Sequence, residues 1–135
     1  NCSKISSRQM KTRRMVPNRR TKTLDTNMTV RERVVELMRE VRDAHVLQPE
    51  RAAEILLELT SLQGIVNDEI RVADMDYAKV LLRELEANEK ANRAKIKAET
   101  SPEYERKRVA RDTKELIVEG IRSLKYFLRA ERYDP

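Results

Sequence analysis

Between Pro49 and Thr100 the chain runs with no second proline and a single glycine, Gly64, flanked on both sides by good helix formers. An isolated glycine costs about 1 kcal/mol against alanine, too little to stop a helix that has tertiary support. The segment therefore predicts one long helix over residues 49–99, about 75 Å in length at 1.5 Å per residue. Kinks are expected, if anywhere, near Gly64 or Ala73-Asp74. Two glycines and four prolines in the whole chain also argue against a turn-rich β fold.

Two further helices follow from their boundary signals. Thr29 with Glu32 three residues on forms a capping box, and Val30, Val34, Leu37, Met38 and Val41 then share one face. Leu47-Gln48-Pro49 ends this helix, because proline disfavours helical backbone at the residue before it and suits the first position of the next helix. The first helix is expected over residues 29–46. Ser101-Pro102, followed by Glu103 and Glu105, is a second strong start, and the helix it opens should span 102–132 before Asp134-Pro135 stops it.

Packing follows from apolar spacing. Ile55, Leu56, Leu59, Leu62, Ile65, Val66 and Ile70 make the first half of the long helix greasy, and Tyr77, Val80, Leu81, Leu82 and Leu85 continue it. It then thins to four alanines, Ala87, Ala91, Ala94 and Ala98. Ala110, Thr113, Ile117, Gly120, Leu124 and Phe127 supply a matching register on the last helix. The expected fold is all-α: a long central helix with two antiparallel helical hairpins, coiled-coil-like and oligomeric. In it the first helix covers the first half of the centre and the last helix covers the second half through a close alanine neck.

Charge is unevenly distributed. Residues 1–24 hold eight basic side chains (Lys4, Arg8, Lys11, Arg13, Arg14, Arg19, Arg20 and Lys22) and no acidic one, with few apolar anchors. Residues 1–27 thus read as a basic disordered or extended arm. Met28-Thr29-Val30 resembles a natural start, so that arm carries less weight than the helical hairpin domain over 28–135. From Met28 to Glu89 acidic residues dominate, and residues 90–114 are strongly basic again, so a net charge of +6 conceals a polarised molecule.

Enzyme signatures are absent. No phosphate loop, dinucleotide fingerprint, nucleophile elbow or His-Glu metal helix occurs. Glu50, Glu54 and Glu58 repeat at four-residue spacing, but di-metal bundles need a Glu-x-x-His pair. The single histidine, His45, has no such partner and reads as a helix-end residue facing the negative end of the dipole. No catalytic residue, metal or cofactor is expected. Cys2, the one cysteine, cannot form an internal disulfide and fits a reducing compartment. No apolar run is long enough to span a membrane and no secretory signal is visible. A cytoplasmic location is expected, and Asn1-Cys2-Ser3 and Asn27-Met28-Thr29 match the glycosylation pattern only as short triplets.

The basic hairpin tip is the candidate site. Lys90, Arg93, Lys95 and Lys97 near the end of the second helix should lie beside Arg106, Lys107, Arg108, Arg111 and Lys114 of the third. Such a cluster repels itself unless an anion compensates. Single-stranded nucleic acid, held by its backbone phosphates, is the expected partner, and an acidic protein surface is the alternative. Base-specific readout is not expected, since no helix-turn-helix or zinc finger pattern occurs and Tyr104 is the only aromatic near the tip. Surplus leucines on the central helix point to a homo-oligomer.

Arg93-Ala94-Lys95-Ile96 is similar to the basic-Ala-basic-aliphatic DNA-binding stretch of the T-even phage recombination mediators. Ile121-Arg122-Ser123-Leu124 resembles that family's last helix. The likeness covers residues 70–132. It implies a small helical bacteriophage protein, oligomeric and non-enzymatic, acting on single-stranded DNA in recombination or replication within the host cytoplasm. The other reading is a structural or adaptor protein, such as a virion component or an inhibitor that docks on an acidic protein surface.

Overall fold

The computed structural model of the chain describes residues 28–88 and 90–133. The basic arm over 1–27, Cys2 and the Asp134-Pro135 stop lie outside the described residues. Among the described residues there are four helices and no strand: α1 Val30–Asp43, α2 Pro49–Ala87, α3 Ala91–Glu99 and α4 Pro102–Tyr133. The chain is all-α, as its shortage of turn residues requires.

Local chemistry sets the helix ends. Thr29 caps α1, its hydroxyl accepting from the Glu32 N–H at 3.1 Å and donating back to the Glu32 carboxylate at 3.1 Å. Pro49 opens α2 and Pro102 opens α4. Ser101 joins α3 to α4: its hydroxyl donates to the Ala98 carbonyl at 2.6 Å and accepts from the Tyr104 N–H at 3.2 Å. α1 stops at Asp43, three residues before the expected end, because Ala44 turns extended. His45 accordingly lies exposed beyond the helix end.

The expected helix over 49–99 is two helices. Gly64 leaves it unbroken, and the break falls at Asn88, whose backbone is extended while its side-chain amide donates to the Glu84 carbonyl at 2.7 Å. Asparagine offers the backbone such local alternatives to the helical ladder. Lys90 is extended too, and the chain doubles back. In one continuous helix Ala98 would lie about 27 Å beyond Val80 along the axis. Instead Ala98 shares a cluster with Tyr77 and Val80.

α1, α2 and α4 form a three-helix bundle. Arg33 meets Glu58 and Arg51 meets Glu40, so α1 runs antiparallel to α2. Tyr104 meets Tyr77, and Gly120 lies against Leu59, so α4 does the same. The main core joins Val34 and Leu37 of α1, Ile55, Leu59, Leu62 and Val66 of α2, and Ile117 and Leu124 of α4. This corrects the expected division of labour, since α4 covers both halves of α2 and also packs on α1. Its register at Ala110, Thr113, Ile117, Gly120 and Leu124 is the buried one expected, with Phe127 half-buried.

The two glycines have opposite roles. A Cβ on Gly120 would come within 2.7 Å of Met38 Sδ and 3.1 Å of Leu59 Cδ1, so its missing side chain lets three helices meet. A Cβ on Gly64 would meet nothing within 4 Å. Two bidentate pairs flank the core. Arg33 donates to both Glu58 oxygens at 2.5 and 2.8 Å, and Arg51 donates to both Glu40 oxygens at 2.5 and 2.7 Å. Glu58, expected on a solvated acidic face, thus belongs to the α1–α2 seam.

Gly64→Ala should stabilise the fold by about 1 kcal/mol, the helix-propensity difference, as read by urea denaturation. Gly120→Ala gains the same propensity but must displace Met38, so its net gain should fall short of that at Gly64. A second expectation concerns acid. Hydrogen bonding from Arg51 lowers the Glu40 carboxyl below its usual 4.5, against a smaller opposing effect of burial. A carboxyl lowered in the folded chain adds stability above its unfolded pKa, and that stability is lost as pH falls through the folded value. Glu40→Gln should therefore flatten the pH dependence of the urea midpoint below about pH 5, modestly because the pair is partly exposed. An unchanged profile would show that the pair adds nothing to stability.

Candidate nucleic-acid interface

The nine expected cations fall into two groups with different surroundings. Lys90 precedes α3, and Arg93, Lys95 and Lys97 lie on it, all four exposed. The other five lie on the first turns of α4. The two groups meet across the Thr100-Ser101 turn.

Those on α4 are largely engaged. Arg111 donates to Asp74 at 2.7 Å, and Arg106 lies 3.8 Å from Asp76 and 3.7 Å from Glu103. Arg108 pairs with Glu105 at 3.0 Å, a hydrogen bond that raises its pKa above the usual guanidinium value. Lys107 sits 4.4 Å from the centre of the Tyr77 ring, a cation–π distance. Lys114 is half-buried and lines a shallow cleft with Ile70 and Glu115. Four of these five positions thus serve the contact between α4 and α2 or their own helix turn.

On α3, by contrast, no ion pair forms among the described residues. Arg93 and Lys97 are one turn apart and share a flank, while Lys95 takes the other. Ala94 and Ala98, also one turn apart, are both fully buried. Ile96, on the side away from them, is 64% exposed. A nine-residue helix is marginal alone. Two methyl groups against α2 hold this one in place and leave its polar surface to solvent.

The alanine stripe therefore behaves differently from its sequence register. Ala87 and Ala91 are exposed, because the helix breaks between them. The close contact of α3 is made chiefly with α2 rather than α4. An aromatic was also hidden by that fold-back: Tyr77 packs edge to face with Tyr104, ring centres 5.3 Å apart, beneath Ala98. Burial pushes the Tyr77 phenol up, and Glu99 of α3 adds to the rise. In the sequence Tyr77 is twenty-one residues from Ala98, and only a break at Asn88 could have signalled that they meet.

A second surface lies where α1 begins. Beyond Thr29 nothing described covers the seam between α2 and α4, and a cleft of about 740 Å³ opens there. Val30, Ile65, Val72, Ala73, Val109 and Ala110 give it an apolar lining. Glu32, Asp68, Glu69, Asp76 and Glu105 lie around it, against only Arg31 and Arg106. Burial raises the Glu69 carboxyl above its usual value. Neither surface gathers metal ligands: among the described residues no three His, Cys, Asp or Glu side chains come together as a metal site. No described helix is long and apolar enough to cross a membrane.

In comparisons with known proteins, no family model, curated protein or solved structure matches the chain.

Ala94→Leu should overpack the α3–α2 contact, at about 1–3 kcal/mol. A nine-residue helix held chiefly by two buried alanines opens locally before the bundle unfolds, so the direct readout is hydrogen exchange, which should speed up in α3 amides first. Ala91→Leu should change stability by less than about 0.5 kcal/mol. Equal effects of the two substitutions would show that α3 is not seated through Ala94.

Proposed function

We propose that the protein is a non-enzymatic helical accessory factor that binds the backbone of single-stranded nucleic acid through α3. Its setting, on this reading, is bacteriophage recombination or replication in the host cytoplasm. One observation carries the proposal: Lys90, Arg93, Lys95 and Lys97 are exposed and make no ion pair among the described residues, on a helix anchored by Ala94 and Ala98. Cations already paired with carboxylates must give up those partners to meet a phosphate. Unpaired ones release counterions directly. The segment that resembles the T-even mediators, Arg93 to Ile96, falls on this same helix.

Self-association belongs to the proposal and is supported by α2. Leu57, Met75 and Leu82 are exposed on the side of α2 turned away from the core. The surplus is smaller than the sequence implies, because Leu59 and Leu62 are buried, and Leu56, Ile65 and Leu81 pack at core edges. Ile96 favours a second reading, an adaptor that docks on an acidic protein surface, since an exposed isoleucine among cations suits a protein partner better than a phosphate backbone.

Fluorescence anisotropy with labelled single-stranded DNA separates the two. Four phosphate contacts should give a slope of log affinity against log salt of roughly −3, using about 0.7 per contact for single strands. Arg93→Glu with Lys97→Glu should remove half or more of that slope and weaken binding at least about tenfold. Arg106→Gln and Arg111→Gln should leave the slope nearly unchanged. Absence of binding at low salt would sink the nucleic-acid reading and leave the adaptor.

A further inference from the structure

The bundle is incomplete over the middle of α2. Farther along, α1 covers the seam between α2 and α4, but it begins at Val30 and leaves Ala73 and Ala110 facing an open cleft beside a half-exposed Val72. Apolar walls of this kind are stabilised by an occupant that brings its own apolar side chains.

Charge narrows the choice of occupant. Five carboxylates surround the cleft against two guanidiniums on its lining. Asp68, Asp76 and Glu105 each already lie within 4 Å of an arginine, Arg71, Arg106 and Arg108, all on the exposed surface. Glu69, exposed on α2, makes no ion pair among the described residues. A basic segment with a few apolar anchors would satisfy both the walls and the rim.

We propose that this cleft seats the segment of the chain that precedes Thr29, with Leu24 against the apolar walls and Arg19, Arg20 and Lys22 before it against the acidic rim. Residues 1–24 hold eight basic side chains and no acidic one, and Asp25 to Met28 link them to Thr29, which lines the cleft. Leu24 stands five residues before Thr29 and can reach up to about 17 Å from it. From Ile65 to Asp76 the cleft extends about 16 Å along α2, so the part of it nearer Thr29, with Ile65, Asp68 and Glu69, lies within that reach. A tethered segment also acts at an effective concentration on the order of millimolar, which a second copy or a free peptide does not match at ordinary protein concentrations.

The chain has no tryptophan, so Leu24→Trp in the whole 135-residue chain installs a single reporter. The expected result is a blue-shifted emission, protected from acrylamide and independent of protein concentration. Asp68→Lys with Glu69→Lys, both exposed on α2, should abolish the shift and the protection while helix content stays constant by circular dichroism. Salt at about 0.5 M should weaken them. A solvent-exposed spectrum in the Leu24→Trp chain overturns the proposal, as does protection that survives the double charge reversal. Protection that grows with protein concentration also overturns it, by assigning the cleft to a second copy. None of these outcomes depends on nucleic-acid binding by α3.

Discussion

One apolar stripe governs the molecule. α2 is 39 residues long, and Ala52, Ile55, Leu59, Leu62, Val66, Ala73, Tyr77 and Val80 keep one side of it buried for nearly its whole length. That is a stripe on a rod of about 58 Å, and a single stripe must be covered to be stable. α4, with 32 residues, spans about 48 Å and covers most of it. α1 spans only about 21 Å and α3 about 14 Å, so the bundle is three helices deep where α1 lies and thinner elsewhere. The fold-back of α3 and the open cleft both follow from this shortage of cover. At the end of α2 the chain turns back on itself to bury Tyr77 and Val80, and in the middle the seam is left open.

Electrostatics then follow the packing. Because α4 lies antiparallel on α2, Arg106 and Arg111 come to Asp76 and Asp74, and part of the basic segment neutralises part of the acidic one. α3 meets α2 through buried Ala94 and Ala98, and its cations form no ion pair among the described residues. Its positive side chains stay outside. Around the cleft the excess is of the opposite sign, five carboxylates lining it against two guanidiniums, with Glu69 free of ion pairs among the described residues. Segments that look like a basic tip and an acidic shaft in one dimension thus become, in three, a neutralised seam and two unbalanced surfaces.

The sequence carried most of the secondary structure and much of the core. Thr29, Pro49 and Ser101-Pro102 marked three helix starts, and the spacing of Ala110, Thr113, Ile117 and Gly120 marked the buried face of α4. Asn88 was not legible, because Ala-Asn-Glu-Lys-Ala holds neither proline nor glycine and each residue tolerates a helix. What breaks the helix there is the gain from burying Ala94 and from packing Ala98 on Tyr77 and Val80, a long-range term that local propensity does not contain. The site suffered for the same reason. Nine cations could be counted, but which of them faced a carboxylate depended on the pairing of α4 with α2, and that depended on the break.

The two unbalanced surfaces constrain each other through the N-terminal segment. That segment carries twice as many cations as Lys90, Arg93, Lys95 and Lys97 together, so without a seat it would dominate any encounter with a phosphate backbone. Seated beside Glu69 and the other cleft carboxylates, it would give up part of that charge and leave α3 as the more accessible positive element. The acidic cleft would then act on nucleic-acid binding without touching the nucleic acid, by fixing how many cations remain available to it. The small residues that keep α3 close to α2 and the carboxylates that line the cleft would serve one end, a positive surface of limited size at a defined place on the bundle.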